Sequence, residues 1–356
     1  MGVQSSDKLL ERKEGLFPTS FSLLIFILYM ALFICQGIIV KLSQQHDHSY
    51  SYNTVTVVLL TEATKLFASL LIYLKDNNLA TLISDMKLHA RILVLYMVPS
   101  VLYCLYNNLA FVNLVVFDPT TYFMLMQLRV VVTGIIFQVV FKKQLSHRQW
   151  FSLFILTAGC ILKQLSQPAI HTPVNPTTST LTKFTQTLFS PNILLILIQL
   201  LCSCLAGVYN EKLLKDTGAE VHIMVQNVFM YIDSILCNAV VLGVRGQLMS
   251  AFTHTALAQV WQPTVVVIIA NNAAVGIVTS FFLRNLNSIL KTFASALELV
   301  FIAVLSWIIL GVPVDIWTAV AIALVTYATF MYAQNPVVNR GRLDEVKKTT
   351  ETQQLA

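Results

Sequence analysis

Charge is what this sequence has least of. Only 11% of its 356 residues are Asp, Glu, Lys or Arg, against 56% hydrophobic, whereas an average soluble domain carries roughly 25% charged residues. With a mean hydropathy of +0.71, that shortage excludes a nucleic-acid reader, a disulfide-knit secreted domain and a disordered tail protein, and points to a polytopic membrane protein. Cysteine pairs are missing too. Cys35, Cys104, Cys160, Cys202, Cys204 and Cys237 all lie in apolar runs without a CxxC, so they read as small buried hydrophobes. No HExxH, GxSxG, P-loop or GxGxxG occurs, and the seven histidines sit in loops or at the ends of apolar runs. The chain therefore reads as no enzyme, with no cofactor and no metal. His46 and His48 flank Asp47, but two histidines without a third ligand read as solvated. A cleavable leader is not apparent: residues 1–19 are polar and mixed in charge, and the run from Ser20 to Val40 is long enough to stay as an anchor.

What is present is apolar sequence in lengths that cross a bilayer. About 20 apolar residues span the hydrocarbon, and polar interruptions divide the chain into ten such stretches, near 20–42, 53–74, 92–113, 118–141, 148–167, 192–213, 221–244, 262–283, 287–310 and 314–334. Phe117-Asp118-Pro119 and Gly311-Val312-Pro313 break runs that would otherwise fuse. Of the 23 Lys and Arg, 17 fall in the two tails and the loops on their side. Four (Lys41, Lys163, Lys183, Arg245) fall on the other, and Lys65 and Arg129 lie inside spans. This asymmetry places both termini in the cytosol and accounts for the net charge of +6 without an anionic macromolecule.

A Pro- and Thr-rich linker, 168–191, divides the spans into five (20–167) and five (192–334), between tails 1–19 and 335–356. An odd number of spans per half inverts the second half relative to the first. The predicted fold is thus an all-α polytopic membrane protein with ten transmembrane helices in two inverted five-helix repeats. Gln149-Trp150 and Ile316-Trp317 open spans five and ten, and Asn107-Asn108 has a counterpart in Asn271-Asn272.

Ionisable groups inside a bilayer are costly unless paired or facing water, so each is a site candidate. Glu62 and Lys65 are three apart on one helix face, as a substrate contact or as a structural ion pair. In span four, Tyr122 and Arg129 are seven apart and share a face, with Gln127 nearby. Arg129 is too deep to snorkel and calls for a buried anion. A phosphate suits its planar fork, and a protein carboxylate is the competing partner. Lys291, Ser295 and Glu298 form a stripe on span nine, where Lys291 either enters the site or snorkels to the cytosolic interface. Ser203 and Gly207 give span six a small-residue face for close helix approach, followed by Tyr209 and Asn210. Tyr103 and Asn107 are one turn apart in span three, with Asn108 beside them, and a buried amide offers what a base edge or sugar needs. Asp233 reads as a structural acceptor.

These segments resemble one family, the nucleotide-sugar transporters, and within it the branch that carries CMP-sialic acid, UDP-galactose and UDP-N-acetylglucosamine. The resemblance covers about residues 20–335. It rests on ThrGluAlaThrLysLeu (61–66), TyrAsnAsnLeuAlaPhe (106–111), Tyr122 with GlnLeuArg (127–129), AlaGlyValTyrAsnGluLysLeuLeuLys (206–215) and IleLeuLysThrPheAlaSer (289–295). It implies a drug/metabolite transporter-like fold in the Golgi or endoplasmic reticulum membrane. It also implies antiport of a cytosolic nucleotide sugar against a lumenal nucleoside monophosphate. Arg129 and Lys291 would hold phosphate, while Tyr122, Asn107, Asn108, Ser203 and Tyr209 would line the nucleotide pocket. Asn107, Asn108 and Ser203 would read the base. Two positions depart from the family pattern: Arg129 is usually lysine, and Cys204 replaces a small residue. UDP-galactose is the first expected substrate and CMP-sialic acid the second. The other class is a non-transporting scaffold of the same fold, organising transporter complexes, self-associated or with glycosyltransferases.

Overall fold

The computed structural model describes residues 17, 19–43, 52–116, 122, 125–165, 193–246, 248–310, 315–335, 337 and 350. The linker 168–191, His46-Asp47-His48, the breaks at 117–119 and 311–313 and most of both tails lie outside the described residues. Among the described residues the secondary structure is all helical. The long helices are α1 (Ser20–Ser43), α2 (Thr54–Leu74), α4 (Ala90–Val116), α5 (Arg129–Phe141), α6 (His147–Leu165), α7 (Ile193–Lys212), α8 (Ile223–Val244), α10 (Pro263–Asn285), α11 (Ser288–Leu310) and α12 (Ile316–Gln334). Two short ones, α3 (Leu79–Leu88) and α9 (His254–Val260), lie between them. Six described helices are long and apolar enough to cross a membrane: α2, α4, α7 with its continuation to Thr217, α8, α10 and α12. The apolar stretches Ser20–Gln36 and Arg129–Phe141 are shorter.

The local chemistry explains several boundaries. Pro263 opens α10, where its missing N–H costs nothing. Asn287 caps α11 by accepting from the Leu290 N–H at 2.7 Å. α7 ends in a widened π turn, Leu213–Thr217, closed by the Gly218 N–H on the Leu213 carbonyl at 2.7 Å. Gly218 has no room for a side chain, since a Cβ there would meet that same carbonyl at 2.8 Å. The short helices escaped the sequence reading because ten and seven residues carry no spanning signal. α3 buries Leu82 and leaves Leu79, Ile83 and Leu88 outward, the pattern of a helix lying along an interface.

Span four differs from the expected continuous helix. Helical residues Leu125 and Met126 give way to a turn at Gln127 and Leu128, and Arg129 is the first residue of α5. The turn is bonded Leu128 N–H to Leu125 carbonyl and Val130 N–H to Gln127 carbonyl. Irregular backbone at membrane depth is tolerated where it is buried in protein or lines a cavity, and here it delivers a cation to one.

The principal packing pairs are α6 with α12, α4 with α7, α1 with α10, α2 with α8, α4 with α8, α2 with α10, α5 with α7 and α1 with α11. Weaker contacts join α5 to α6, α11 to α12 and α5 to α11. One large apolar cluster runs through the bundle, and a separate one joins Tyr52, Val57, Val265, Ile268 and Ile269 where α2 and α10 begin. The opposite end is tied by polar bonds. Tyr96 donates to the Gln226 side chain at 2.7 Å, Tyr73 donates to Asp85 at 2.7 Å, and Arg284 donates to the carbonyls of Ala219 and Val221.

Candidate functional site

Three cavities of about 100, 240 and 340 Å³ lie between the helices, joined by shared walls. The smallest is lined by Arg129 and Thr133 of α5, Ser203, Cys204 and Gly207 of α7, Ser288, Lys291, Thr292 and Ser295 of α11, and Tyr103 of α4. Tyr103 and Lys291 also line the 240 Å³ cavity, with Glu62, Lys65, Asn107, Asn210, Tyr231, Ser234 and Asn238. Glu62, Lys65 and Asn107 line the 340 Å³ cavity as well, with Gln36, Thr61 and Asn272. Together they have the size of a ligand pocket, for which about 300–1,000 Å³ is typical.

Arg129 and Lys291 line one cavity from two different helices, and neither has an ion-pair partner among the described residues. Lys291 thus lines the interior and does not snorkel. Two positive charges that repel across a small space invite an anion between them. Ser288 adds a buried hydroxyl without a hydrogen-bond partner in the same wall, and Asn210 a buried side-chain carbonyl in the next. Glu62 and Lys65 do pair, at 2.5 Å, and the ammonium lies 5.4 Å from the centre of the Tyr231 ring. Gly276 makes room for this pair, because a Cβ there would stand 2.7 Å from Lys65 Cδ.

Ten of the fourteen predicted residues line these cavities: Glu62, Lys65, Tyr103, Asn107, Arg129, Ser203, Gly207, Asn210, Lys291 and Ser295. Four do not. The Asn108 amide donates to the Cys104 carbonyl of its own helix at 2.8 Å. Tyr122 is buried and accepts from Gln199, which in turn accepts from Asn113, each at 2.7 Å. Gln127 sits in the turn before α5, and Tyr209 packs against the apolar core. The three expected base readers are therefore separated: Ser203 lies with the two cations, Asn107 lies with Glu62, and Asn108 bonds its own backbone. Sequence reasoning missed Thr133 and Thr292, one turn or less beyond Arg129 and Lys291, and the polar wall of Ser234, Asn238, Thr279 and Ser280. It also passed over Gln36 and, except as a repeat marker, Asn272.

A bundle of apolar helices enclosing an anion-seeking cavity suits a carrier of phosphorylated cargo. A family model for nucleotide-sugar transporters matches residues 19–333. The chain belongs to the nucleotide-sugar transporter family. It is a membrane transporter and not an enzyme. Among its relatives, the UDP-galactose transporter senju of Drosophila melanogaster is 53% identical over 96% of this chain and 95% of its own length. CMP-sialic acid transporter 3 of Oryza sativa subsp. indica is 29% identical over 82% of this chain and 71% of its own. The probable UDP-sugar transporter protein SLC35A4 of Danio rerio is 27% identical over 79% and 84%. A solved crystal structure with 12% identity superposes at a TM-score of 0.60 over 89% of this chain and 97% of that one, so the two share a fold.

Proposed function

We propose that this transporter moves a UDP-sugar, UDP-galactose first, across the Golgi membrane into the lumen in exchange for UMP. The observation that carries the reading is the pair Arg129 and Lys291, two cations without an ion-pair partner among the described residues, which line one cavity between helices of opposite halves. A scaffold that never binds phosphate has no use for them, and their burial costs free energy until an anion arrives. The choice of UDP-galactose rests on the 53% identity to the Drosophila protein, against 29% for the CMP-sialic acid carrier.

The ten-span division, with halves 20–167 and 192–334 about the linker 168–191, is part of the proposal. The packing supports an inverted repeat. Exchanging each predicted span with its counterpart in the other half turns α1–α10 into α7–α4, α4–α8 into α10–α2 and α5–α7 into α11–α1, and all of these pairs occur. It turns α2–α8 and α6–α12 into themselves. Such a two-fold relation is the frame in which two halves rock about a midplane site. The 17-to-4 partition of Lys and Arg supports cytosolic tails.

Counterflow in proteoliposomes tests the function. Vesicles preloaded with UMP are expected to take up labelled UDP-galactose, and vesicles preloaded with CMP are not. Uptake of CMP-sialic acid driven by CMP would reassign the substrate, and no exchange with any nucleotide would favour the scaffold.

A further inference from the structure

Lys291 and Ser288 reach the cation cavity from the first turn of α11, so their placement depends on how that turn is held. Chain from the other end of the sequence meets it there. We infer that Asn335 and Val337, on either side of Pro336 after α12, strap the end of the bundle that carries the basic loops, and that Asn287 and Gln149, which grip them, are positioning residues for Lys291. This rests on the reading of the chain as a carrier of phosphorylated cargo, and adds what keeps one of its two cations in place.

The two grips are built alike. Gln149 completes a capping box at the start of α6: its side-chain oxygen accepts from the Ser146 N–H at 2.7 Å, and the Ser146 hydroxyl accepts from the Gln149 N–H at 3.3 Å. Its amide nitrogen donates to the Asn335 carbonyl at 2.9 Å. Asn287 does the same for α11. Its oxygen accepts from the Leu290 N–H at 2.7 Å, and its nitrogen donates to the Val337 carbonyl at 2.6 Å. Both side chains are buried.

Capping alone does not call for amides here. Serine or aspartate would cap α11 as well, and glutamate would complete the box on α6. An amide carries its acceptor and its donors on separate atoms, and at both places the oxygen serves the helix while the nitrogen serves the strap.

Further bonds tie the same segment down. The Asn335 amide donates to the Ser146 hydroxyl, and the Val337 N–H donates to the Tyr332 hydroxyl, each at 3.4 Å. Tyr332 of α12 is fully buried and stacks on Phe293 of α11, with 4.4 Å between ring centres. The ends of α6, α11 and α12 are thereby joined. Lys291 is coupled to this joint through the backbone, because its N–H donates to the Asn287 carbonyl at 3.1 Å, the bond that opens α11. A shift of Asn287 therefore carries the ammonium with it.

The test is UMP self-exchange in proteoliposomes, with variants that keep each cap and lose the grip, Asn287→Ser and Gln149→Glu. Each is expected to raise the KM for UMP about fivefold at nearly unchanged maximal rate, the factor that one hydrogen bond of net strength gives. Uridine, which lacks the phosphate, separates positioning from packing: the advantage of UMP over uridine as a competitor should shrink by the same factor. With Lys291→Ala already in place, adding Asn287→Ser is expected to change neither quantity further. An unchanged KM and UMP-to-uridine ratio, with or without a lower melting temperature, would overturn the inference and leave the strap a packing device. Equal weakening of UMP and uridine, or a further loss in the Lys291→Ala background, would overturn it too. If the wild type exchanges CMP in place of UMP, the comparison is made with CMP and cytidine. Failure of the wild type to exchange any nucleotide would sink the functional reading and this inference with it.

Discussion

A guanidinium and an ammonium in the same membrane cavity repel each other, and the protein spends burial energy to keep both. The expense makes sense if each gains a charge-assisted hydrogen bond of about 1.5–3 kcal/mol when phosphate enters. Arg129→Ala and Lys291→Ala are therefore expected to lower exchange by about 10- to 150-fold while the purified protein keeps its melting temperature. Arg129→Lys should retain most activity, because a point charge still attracts phosphate even without the planar fork. Wild-type exchange rates for either alanine variant would remove that residue from the site. These cations were legible in the sequence because lipid makes every ionisable residue conspicuous. Neutral amides are not conspicuous. Gln36, Ser234 and Asn238 sit in apolar runs where a single polar residue is as often satisfied by its own helix, as Asn108 is by Cys104. Only the fold separates the amide that faces a cavity from the one beside it that does not.

Among the elements, helix positions were legible to within a few residues, because about 20 apolar residues between polar breaks leave little freedom. The joints were not. The turn before α5 follows no proline or glycine, and Gln127-Leu128 gives no sequence signal for it. The joint between α7 and α11 was missed as well. Glu211 is fully buried; one carboxylate oxygen accepts from the Ser288 N–H at 2.7 Å, at the N-terminus of α11, and the other from Lys215 at 3.1 Å. Lys215 also donates to the Leu286 carbonyl. A carboxylate at a helix N-terminus satisfies both an open N–H and the helix dipole, and here it fixes the turn that carries Lys291. Glu211→Ala is expected to cost about 3–5 kcal/mol, as removal of one partner of a buried pair does, read as a lower melting temperature in detergent. Glu211→Gln keeps an acceptor for Ser288 and should cost less.

The start of α8 carries a pH dependence. The His222 Nδ1 accepts from the Met224 N–H at 3.2 Å, and its ring meets Tyr73 edge-on at 5.2 Å. Partial burial, and then the Arg284 guanidinium, hold its pKa below the usual histidine value, against Asp85 and Asp76. The folded state thus binds its proton less readily than the unfolded chain. This contribution to stability is present above about pH 6.5 and is lost as the pH falls below it. The melting temperature should drop more between pH 7 and 5.5 in the wild type than in His222→Asn, which retains a capping oxygen at both pH values. Identical drops would mean that the cap does not titrate in this range.

At the scale of the whole molecule, the two ends are closed by different chemistry. Tyr96 and Gln226 join α4 to α8 at the end that carries the basic loops, and the five-residue apolar cluster joins α2 to α10 at the other. Under the proposed exchange of halves, which maps α4–α8 onto α10–α2, these two closures are counterparts. A carrier that exposes its site alternately must open one while the other holds, so fixing either one should stop turnover. Tyr96→Cys with Gln226→Cys, in a background without the six native cysteines, is the direct test. Bridging the pair with a short bis-thiol reagent is expected to reduce counterflow at least tenfold. Each single cysteine, treated alike, should keep the activity of its untreated form. The bridge lies on α4 and α8 beyond the walls of the three cavities, so its effect is not a blocked pocket. Full exchange by the bridged protein would show that this end does not open during transport, and that cargo enters and leaves by another route.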